Sequence, residues 1–330
     1  MDGPPLRDLV PIERVWARLE QVERRLYEVS TSDNPFVTEI AQHLLGAGKR
    51  YRPMLAQVAA EIGGADGSDP VEAGVAVELI HLGSLYHDDV IDEAGSRRGQ
   101  TSVNTNWSNT IAILAGDFLL ARASEVAAPL GTEAVALLAR TYANLCEGQV
   151  LELQLGNDLD HGPEDYYRVI ENKTASLIRT SARLGAMAGG ADRPQIEAAT
   201  RWGHEVGLVF QLTDDVLDLL ATEDFLGKPA GSDIHEGTFT LPVIYALRGE
   251  NGHRARKLLQ GGKPYPDEAV EEVIDLVRSG GHLDRVLDET MAHIAAAEEA
   301  IAELPDSEVT KVLRTLGEYL VERVDAARQG

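Results

Sequence analysis

The sequence predicts an all-α fold, and three observations support this prediction. Helical periodicity continues along almost the whole chain, and it is dominated by the helix-favouring residues Ala, Leu, Glu and Arg. Runs of alternating β-branched residues, which would indicate strands, are missing. Pro at first-turn positions and Gly-rich breaks divide the chain into helices of ordinary to long size. These boundaries are Asp69-Pro70, Gly162-Pro163, Gly46 to Gly48, Gly63-Gly64 and Gly189-Gly190.

The predicted elements begin with a peripheral helix within residues 1–30. Its apolar residues follow helical spacing with charged residues between them, and they are Trp16, Leu19, Val22 and Leu26. The segments 70–92 and 111–128 are apolar on more than one face, which is typical of helices in the middle of a bundle. Because no Ser/Gly-rich linker interrupts the chain, we expect one domain over residues 1–330, with C-terminal helices within 250–330.

The net charge of the chain is −24, from 54 acidic residues and 30 Lys and Arg residues. This balance argues against nucleic acid or an anionic membrane surface as the main partner. A phosphate-bearing substrate must therefore be held by local cations or by a metal ion. No apolar stretch reaches the roughly 18 residues of a membrane span, and the start of the chain lacks signal-peptide character. With Cys146 as the single cysteine, we expect a cytoplasmic protein with no disulfide and no stable membrane insertion.

Two Asp-Asp-x-x-Asp motifs are the most informative feature of the chain. They are Asp88-Asp89-Val90-Ile91-Asp92 and Asp214-Asp215-Val216-Leu217-Asp218. On a helix the first and last Asp of each motif share one face, where like charges cost about 0.2–0.5 kcal/mol. A cation would reverse that cost, and Mg²⁺ prefers oxygen ligands while leaving places for waters and substrate phosphate. The six Asp residues are therefore candidate metal ligands, on two helices that face a central cavity.

A solvated helix face is the alternative interpretation of one such motif in so acidic a protein. Two nearly identical motifs favour metal binding, because each follows an apolar run that should be buried, residues 79–85 and 206–212. Calcium fits less well than magnesium, since calcium loops place their ligands on alternate residues around a turn-forming Gly.

Cationic residues in several segments are candidate phosphate ligands. Lys49, Arg50 and Arg52 follow a Gly-rich break, where backbone N–H groups also favour an anion. Arg97 and Arg98 come shortly after the first Asp motif, and Arg can donate two parallel hydrogen bonds to phosphate oxygens. The other candidates are Lys173 with Thr174, Lys228, and His81, which lies nearly two turns before Asp88. Taken singly, each of these last candidates is more often an ordinary surface or core residue.

In this order, the motifs resemble those of the trans-isoprenyl diphosphate (polyprenyl) synthases from about Asn34 to Leu241. The matching stretches are Gly48 to Pro53, His87 to Gly99, Leu114 to Asp117, Lys173 to Ser176, Phe210 to Asp218 and Leu226 to Asp233. The resemblance implies an all-α bundle of the isoprenoid synthase type, commonly a homodimer, that condenses an allylic diphosphate with isopentenyl diphosphate. It also implies Mg²⁺ as the cofactor, with three ions per active site.

The resemblance further implies a role for each candidate residue. Asp88, Asp92 and Asp214 would be metal ligands, and Asp89, Asp215 and Asp218 would be ligands or would support them. Arg97, Lys173, Thr174, Gln211 and Lys228 would hold the allylic diphosphate. Lys49, Arg52, His81 and Arg98 would hold isopentenyl diphosphate, and Arg50 of the same basic motif is a further substrate-binding candidate. Thr238 stands where family members often have Lys, which argues against an additional diphosphate-binding cation there.

Product length is expected to depend on small residues one turn before Asp88. In the resembling family, bulky aromatics at the positions of Gly83 and Ser84 stop chain growth early, so their absence predicts a product of C30 or longer. Tyr86 is expected to narrow the product channel. Close helix packing is the alternative explanation for Gly83.

Three other functions stay open at this point. They are a synthase of shorter products (C15–C25), a class I terpene cyclase, and an inactive subunit of a heteromeric synthase. The second Asp motif does not resemble the Asn/Asp-x-x-Ser/Thr-x-x-x-Glu motif of such cyclases. Inactive subunits typically lose one Asp motif, and both motifs are intact here.

Overall fold

Helices account for nearly all regular structure in the residues that the computed structural model describes, which are 6–64, 67, 69–220 and 230–329. The first half contains α1 (Leu6–Leu9), α2 (Glu13–Val29), α3 (Pro35–Gln42), α4 (Tyr51–Ala60), α5 (Asp69–Ile91), α6 (Val103–Asn106), α7 (Asn109–Ala127), a 3₁₀ turn (Ala128–Leu130) and α8 (Thr132–Leu155). It is followed by α9 (Pro163–Ile170), a π-helical segment (Glu171–Ala175), α10 (Ser176–Ala188) and α11 (Arg193–Leu220). The last helices are α12 (Ser232–His235), α13 (Leu241–Arg248), α14 (Gly252–Leu259), α15 (Asp267–Ser279), α16 (His282–Ala302) and α17 (Glu308–Gln329). The predicted all-α fold is confirmed.

One short β-hairpin follows α5, formed by β1 (Ser96–Arg97) and β2 (Gln100–Thr101), which pair antiparallel. Its two-residue turn is Arg98-Gly99, with φ values of 53° and 75°. Positive φ at both turn positions is what a type I′ hairpin requires, and it is unusual for Arg. The hairpin therefore places two adjacent arginines at the end of α5 in a fixed conformation.

The central position predicted for residues 70–92 is confirmed, because α5 is buried along most of its length and packs against α2, α4, α7 and α10. Long helix α11 lies between α10, α16 and α17. The expectation for 111–128 is only half met. Helix α7 packs tightly on α5, but Ile113 and Leu114 on its other side are 44% and 56% exposed. Among the residues that the structure describes, none of the helices has the length and apolar character that a membrane crossing requires.

Close backbone contacts between helices depend on glycine. A Cβ atom at Gly185 of α10 would collide with the backbone of Ala56 in α4, and one at Gly189 would collide with Ala60. Since these contacts involve main-chain atoms, no rotamer change of a neighbour can relieve them. Helix α10, which follows the π-helical segment directly, is thereby held against α4.

We expect Gly185→Ala to lower the free energy of unfolding by about 1–3 kcal/mol through overpacking. The matched control is Gly317→Ala in α17, where a Cβ would meet Ile294 at an ordinary 3.5 Å. This control should instead stabilise the protein by up to about 1 kcal/mol through helix propensity. Equilibrium denaturant unfolding measures both values, and equal effects would contradict the close α4–α10 contact.

Candidate active site

The first Asp motif forms the C-terminal turn of α5, and its three carboxylates have different surroundings. Asp88 is partly exposed and Asp92 is exposed, one helical turn apart, with a 2.8 Å backbone bond from Asp92 N to Asp88 O. Asp89 is fully buried, and Arg97 of the hairpin donates from Nε to its Oδ1 at 2.6 Å. The structure therefore presents Asp88 and Asp92 to solvent and ties Asp89 to the hairpin.

The second Asp motif lies near the end of α11, and it exposes one carboxylate and buries two. Asp214 is exposed, whereas Asp215 and Asp218 are only 2% and 3% exposed. Both oxygens of Asp215 accept hydrogen bonds, from Gln211 Nε2 at 2.7 Å and from the hydroxyl of Tyr166 at 2.5 Å. Burial and nearby Asp233 raise the pKa of Asp215 well above its usual range, and the two donors oppose that rise. The predicted ligands Asp89 and Asp215 are thus held by protein groups in this structure.

The π-helical segment Glu171–Ala175 carries two side chains that contact the surroundings of the two Asp motifs. Its wider turn brings the backbone close to α8, where a Cβ at Gly148 would lie 2.6 Å from the backbone nitrogen of Lys173. Burial lowers the pKa of Lys173, but Glu152, Asp88 and Asp92 raise it by more, so the pKa lies above its usual value. Its Nζ donates to the Glu152 carboxylate. Lys173 and Arg97, which both lower the pKa of Asp88, therefore form a first cationic cluster beside the first Asp motif.

The next residue, Thr174, faces the second motif. Its hydroxyl donates to Gln211 Oε1 at 2.8 Å, one turn before Asp215. The predicted pair Lys173-Thr174 therefore contacts the surroundings of both Asp motifs from one short segment.

The carboxylates of the first motif fit a divalent metal ion. Burial raises the pKa of Asp88 to about 6, with Lys173 opposing the rise and Asp92 adding to it. A cation near both groups would remove this cost of ionisation, and carboxylate oxygens are the donors that Mg²⁺ prefers. Within the described ranges, no three His, Cys, Asp or Glu side chains form a group that could hold a metal by themselves. Substrate oxygens would have to complete the coordination.

A second cationic cluster lies between α4, α5 and the hairpin. His81 Nε2 is 3.4 Å from Arg52 Nη1 and 3.1 Å from Arg98 Nη2. Burial and the arginines, Arg52 first, lower the pKa of His81 well below its usual range, so Nε2 accepts from both guanidinium groups. The glycine at position 48 leaves room for the Arg98 guanidinium, and Lys49, the next residue, is exposed. Three residues predicted to hold one diphosphate are thus brought together.

Arg50 differs from the prediction that it contacts a substrate. Its guanidinium donates to Glu23 at 2.6 Å, to Glu78 at 3.0 Å and to two backbone carbonyls, and the residue is 7% exposed. All of its donors that could reach a phosphate are therefore engaged by the protein. Arg50 compensates the buried charge of Glu78, which is 1% exposed beneath Arg52 and Arg98.

The predicted chain-length residues also have different surroundings. Ser84 is partly exposed, but Gly83 is buried against α7, where an added Cβ would lie 3.0 Å from Leu120 and 3.1 Å from the Gly116 oxygen. Helix packing, the alternative explanation for Gly83, is therefore the one the structure favours. Tyr86 is fully buried and its hydroxyl donates to the Ile40 carbonyl at 2.8 Å, so it does not narrow an open channel.

Sequence reasoning missed several residues of the site. Glu152 and Tyr166 belong to no motif, and nothing in their local sequence indicates their partners. Glu78 carried a signal, because it is the one acidic residue in the apolar stretch 73–86.

The predicted Lys228 lies in 221–229, outside the described residues. Thr238 donates from its backbone N to Asp233 O at 2.8 Å.

A helical bundle with carboxylates on two helices and two separate cationic clusters is typical of enzymes that bind diphosphate esters. A family model described as polyprenyl synthetase matches residues 34–277, and the chain belongs to this family. Membership of the family makes it a transferase of prenyl groups.

Three relatives illustrate this similarity. The nonaprenyl diphosphate synthase of Mycobacterium tuberculosis is 40% identical over 97% of both chains. The heptaprenyl diphosphate synthase component 2 of Geobacillus stearothermophilus is 39% identical over 92% of this chain and 95% of its own. The crystal structure of a polyprenyl synthase from Caulobacter crescentus, complexed with calcium and isoprenyl diphosphate, superposes with a TM-score of 0.88 at 32% identity, covering 97% and 98% of the chains.

We expect Asp88→Asn to stabilise the metal-free protein at about pH 7.5, by up to about 3 kcal/mol. The folded-state pKa of about 6 exceeds the ordinary 3.8, so the folded protein binds more protons between these values. The ionised carboxylate therefore costs stability above about pH 6, and the gain should disappear near pH 4. Denaturant unfolding at both pH values measures this. Exposed Asp325→Asn is the control, and a gain that does not depend on pH would contradict the prediction.

Proposed function

We propose that the chain is a Mg²⁺-dependent prenyltransferase that condenses an allylic diphosphate with isopentenyl diphosphate, head to tail and in the trans configuration. The observation that carries this proposal is the presence of two cationic clusters with different neighbours. Lys173 and Arg97 lie beside the first Asp motif, whereas Arg52, Arg98 and His81 form a cluster of their own. Two clusters suit two diphosphates, one of which is to be cleaved.

In this proposal Asp88, Asp92 and Asp214 hold the metal ions, because they are the accessible carboxylates of the two motifs. Each active site would bind three Mg²⁺ ions. The buried members Asp89, Asp215 and Asp218 support them. Bound Mg²⁺ would supply electrostatic stabilisation of the diphosphate as its bond to the allylic carbon breaks. The calcium in the Caulobacter crescentus structure supports a divalent-metal site in the family.

The chain's own residues then bind and orient the two substrates. Lys173 adds positive charge to the leaving diphosphate, with Arg97, Thr174, Gln211 and Lys228 as further ligands. Lys49, Arg52, His81 and Arg98 hold isopentenyl diphosphate so that its double bond faces the allylic carbon. Apolar walls keep water away from the allylic cation that remains when the diphosphate leaves. Such chemistry needs no Ser or Cys nucleophile.

The product is proposed to be C30 or longer, with a shorter product (C15–C25) as the alternative. The names of the similar nonaprenyl and heptaprenyl synthases support a long chain. We also propose that the single domain acts as a homodimer. Large apolar side chains are exposed on the adjoining helices α7 and α8, where a second copy would cover them. They are Ile113, Leu114, Val150 and Leu153.

A role as one subunit of a heteromeric synthase is a second candidate, because one similar relative is named a component 2. Both Asp motifs and both cationic clusters are intact, so we expect this chain to be active without another subunit.

The test is an assay of the purified chain with labelled isopentenyl diphosphate and allylic primers of several lengths. We expect elongated prenyl diphosphates by chromatography, and their loss when EDTA removes Mg²⁺. A hydrocarbon formed from farnesyl diphosphate alone would indicate a terpene cyclase. No product from any primer would contradict a self-sufficient synthase and favour the subunit role.

We expect Ser84→Phe to shorten the products, because Ser84 is partly exposed on the turn before Asp88. Ser84→Ala, which keeps the side chain small, should leave the product distribution unchanged. Gly83→Phe should instead unfold the protein or prevent its expression, since α7 fills the space beside Gly83. Chromatography of the products measures the first two effects, and an unchanged distribution for Ser84→Phe would rule out this position as a chain-length determinant.

A further inference from the structure

A chain of hydrogen bonds joins three elements around the second Asp motif. The Thr174 hydroxyl of the π-helical segment donates to Gln211 Oε1 at 2.8 Å, and Gln211 Nε2 donates to Asp215 Oδ1 at 2.7 Å. The hydroxyl of Tyr166 in α9 donates to the other carboxylate oxygen, Oδ2, at 2.5 Å. Thr174, Asp215 and Tyr166 are 9%, 2% and 5% exposed, so water has little access to these bonds.

The hydrogen bonds of this chain all donate toward Asp215. Thr174 and Tyr166 each have a single hydroxyl proton, and the Gln211 amide accepts at its oxygen and donates at its nitrogen. Both oxygens of Asp215 are therefore occupied by donors from two sides, which leaves the carboxylate one orientation. Tyr166 is the one residue in this series of hydrogen bonds that belongs to none of the predicted motifs. Because it is buried, water cannot take the place of its hydroxyl group as a donor to Asp215.

Asp215 directly follows Asp214 on the same turn of α11, and Asp218 comes one turn after Asp214. The bond from Tyr166 holds the Asp215 side chain from another helix, α9, and it therefore restrains the rotation of this turn about the helix axis. Groups that orient metal-binding carboxylates from behind typically contribute about 10–100-fold to metal affinity.

We propose that Tyr166 is a positioning residue for the second Asp motif, and that its hydroxyl bond to Asp215 sets the direction in which α11 presents Asp214. The inference rests on the proposed function, because it assigns Asp214 to metal binding. It adds a residue that carries no sequence motif and makes no contact with the first Asp motif.

The neighbouring residue offers a matched control. Tyr167 also lies on α9 and also donates its hydroxyl to a carboxylate, Glu289 Oε2 of α16, at 3.0 Å. Glu289 belongs to neither Asp motif and to neither cationic cluster. Tyr166→Phe and Tyr167→Phe thus remove the same group from neighbouring positions of the same helix.

The experiment measures binding of Mn²⁺ in the presence of inorganic diphosphate, by titration calorimetry and thermal shift, so that no turnover is needed. We expect Tyr166→Phe to raise the Mn²⁺ concentration for half-saturation about tenfold. Tyr167→Phe should leave it within about twofold of the unmodified protein. In steady-state assays Tyr166→Phe should raise the KM of the allylic diphosphate and leave that of isopentenyl diphosphate unchanged.

Unchanged Mn²⁺ binding in Tyr166→Phe, or an equal loss in both variants, would overturn the inference and leave the proposed function intact. If the unmodified protein binds no Mn²⁺ with diphosphate, the proposed function itself fails, and the inference fails with it. Should Tyr166→Phe not fold, Asp215→Asn keeps the shape of the side chain but removes one of the two oxygens that accept from Tyr166 and Gln211. It is expected to cause a similar loss of Mn²⁺ affinity, and an unchanged affinity would also overturn the inference.

Discussion

Carboxylates held close together inside a helical bundle repel one another, and the organisation of this site follows from that cost. Burial and the neighbouring Asp92 raise the pKa of Asp88, while Lys173 lowers it. The deeper acids each have a dedicated donor. Arg97 bonds to Asp89, Arg50 bonds to Glu78, and Tyr166 with Gln211 bonds to Asp215. These three buried acids thus each accept from the protein on at least one oxygen, and the accessible carboxylates are the candidates for compensation by metal.

The cations that accompany these acids are placed by irregular backbone. Lys173 and Thr174 lie on a π-helical segment that joins α9 to α10, so consecutive residues contact the surroundings of different Asp motifs. Arg98 occupies a left-handed turn position, with φ of 53°, where Arg is uncommon. Local departures from regular helix are often found at functional sites, and here they place Lys173 and Arg98 in different cationic clusters.

The acidic composition is compatible with the proposed binding of diphosphates, because cationic residues are concentrated at the site. A net charge of −24 keeps long-range attraction for polyanions weak. Arg52, Arg98 and His81 lie within hydrogen-bonding distance of each other through one imidazole nitrogen, in surroundings where their field is poorly screened. Under the proposed function, recognition of a diphosphate would depend on local geometry and a low dielectric, and the overall charge of the protein would contribute little.

The sequence alone determined the helices, the central position of α5 and the presence of two Asp motifs at metal-binding spacing, because helical periodicity and i, i+4 geometry are local properties. Residue type and spacing did not distinguish Arg50 from Arg52 or Asp215 from Asp214, and only the family resemblance gave these residues different expected roles. These roles depend on partners far along the chain. Arg50 is separated from Glu78 by 28 residues, and Tyr166 from Asp215 by 49. Whether Gly83 borders a channel or a helix was likewise decided by α7, which packs against it only in the folded protein. Spacing within a helix fixes which side chains share a face, whereas the tertiary structure decides what that face meets.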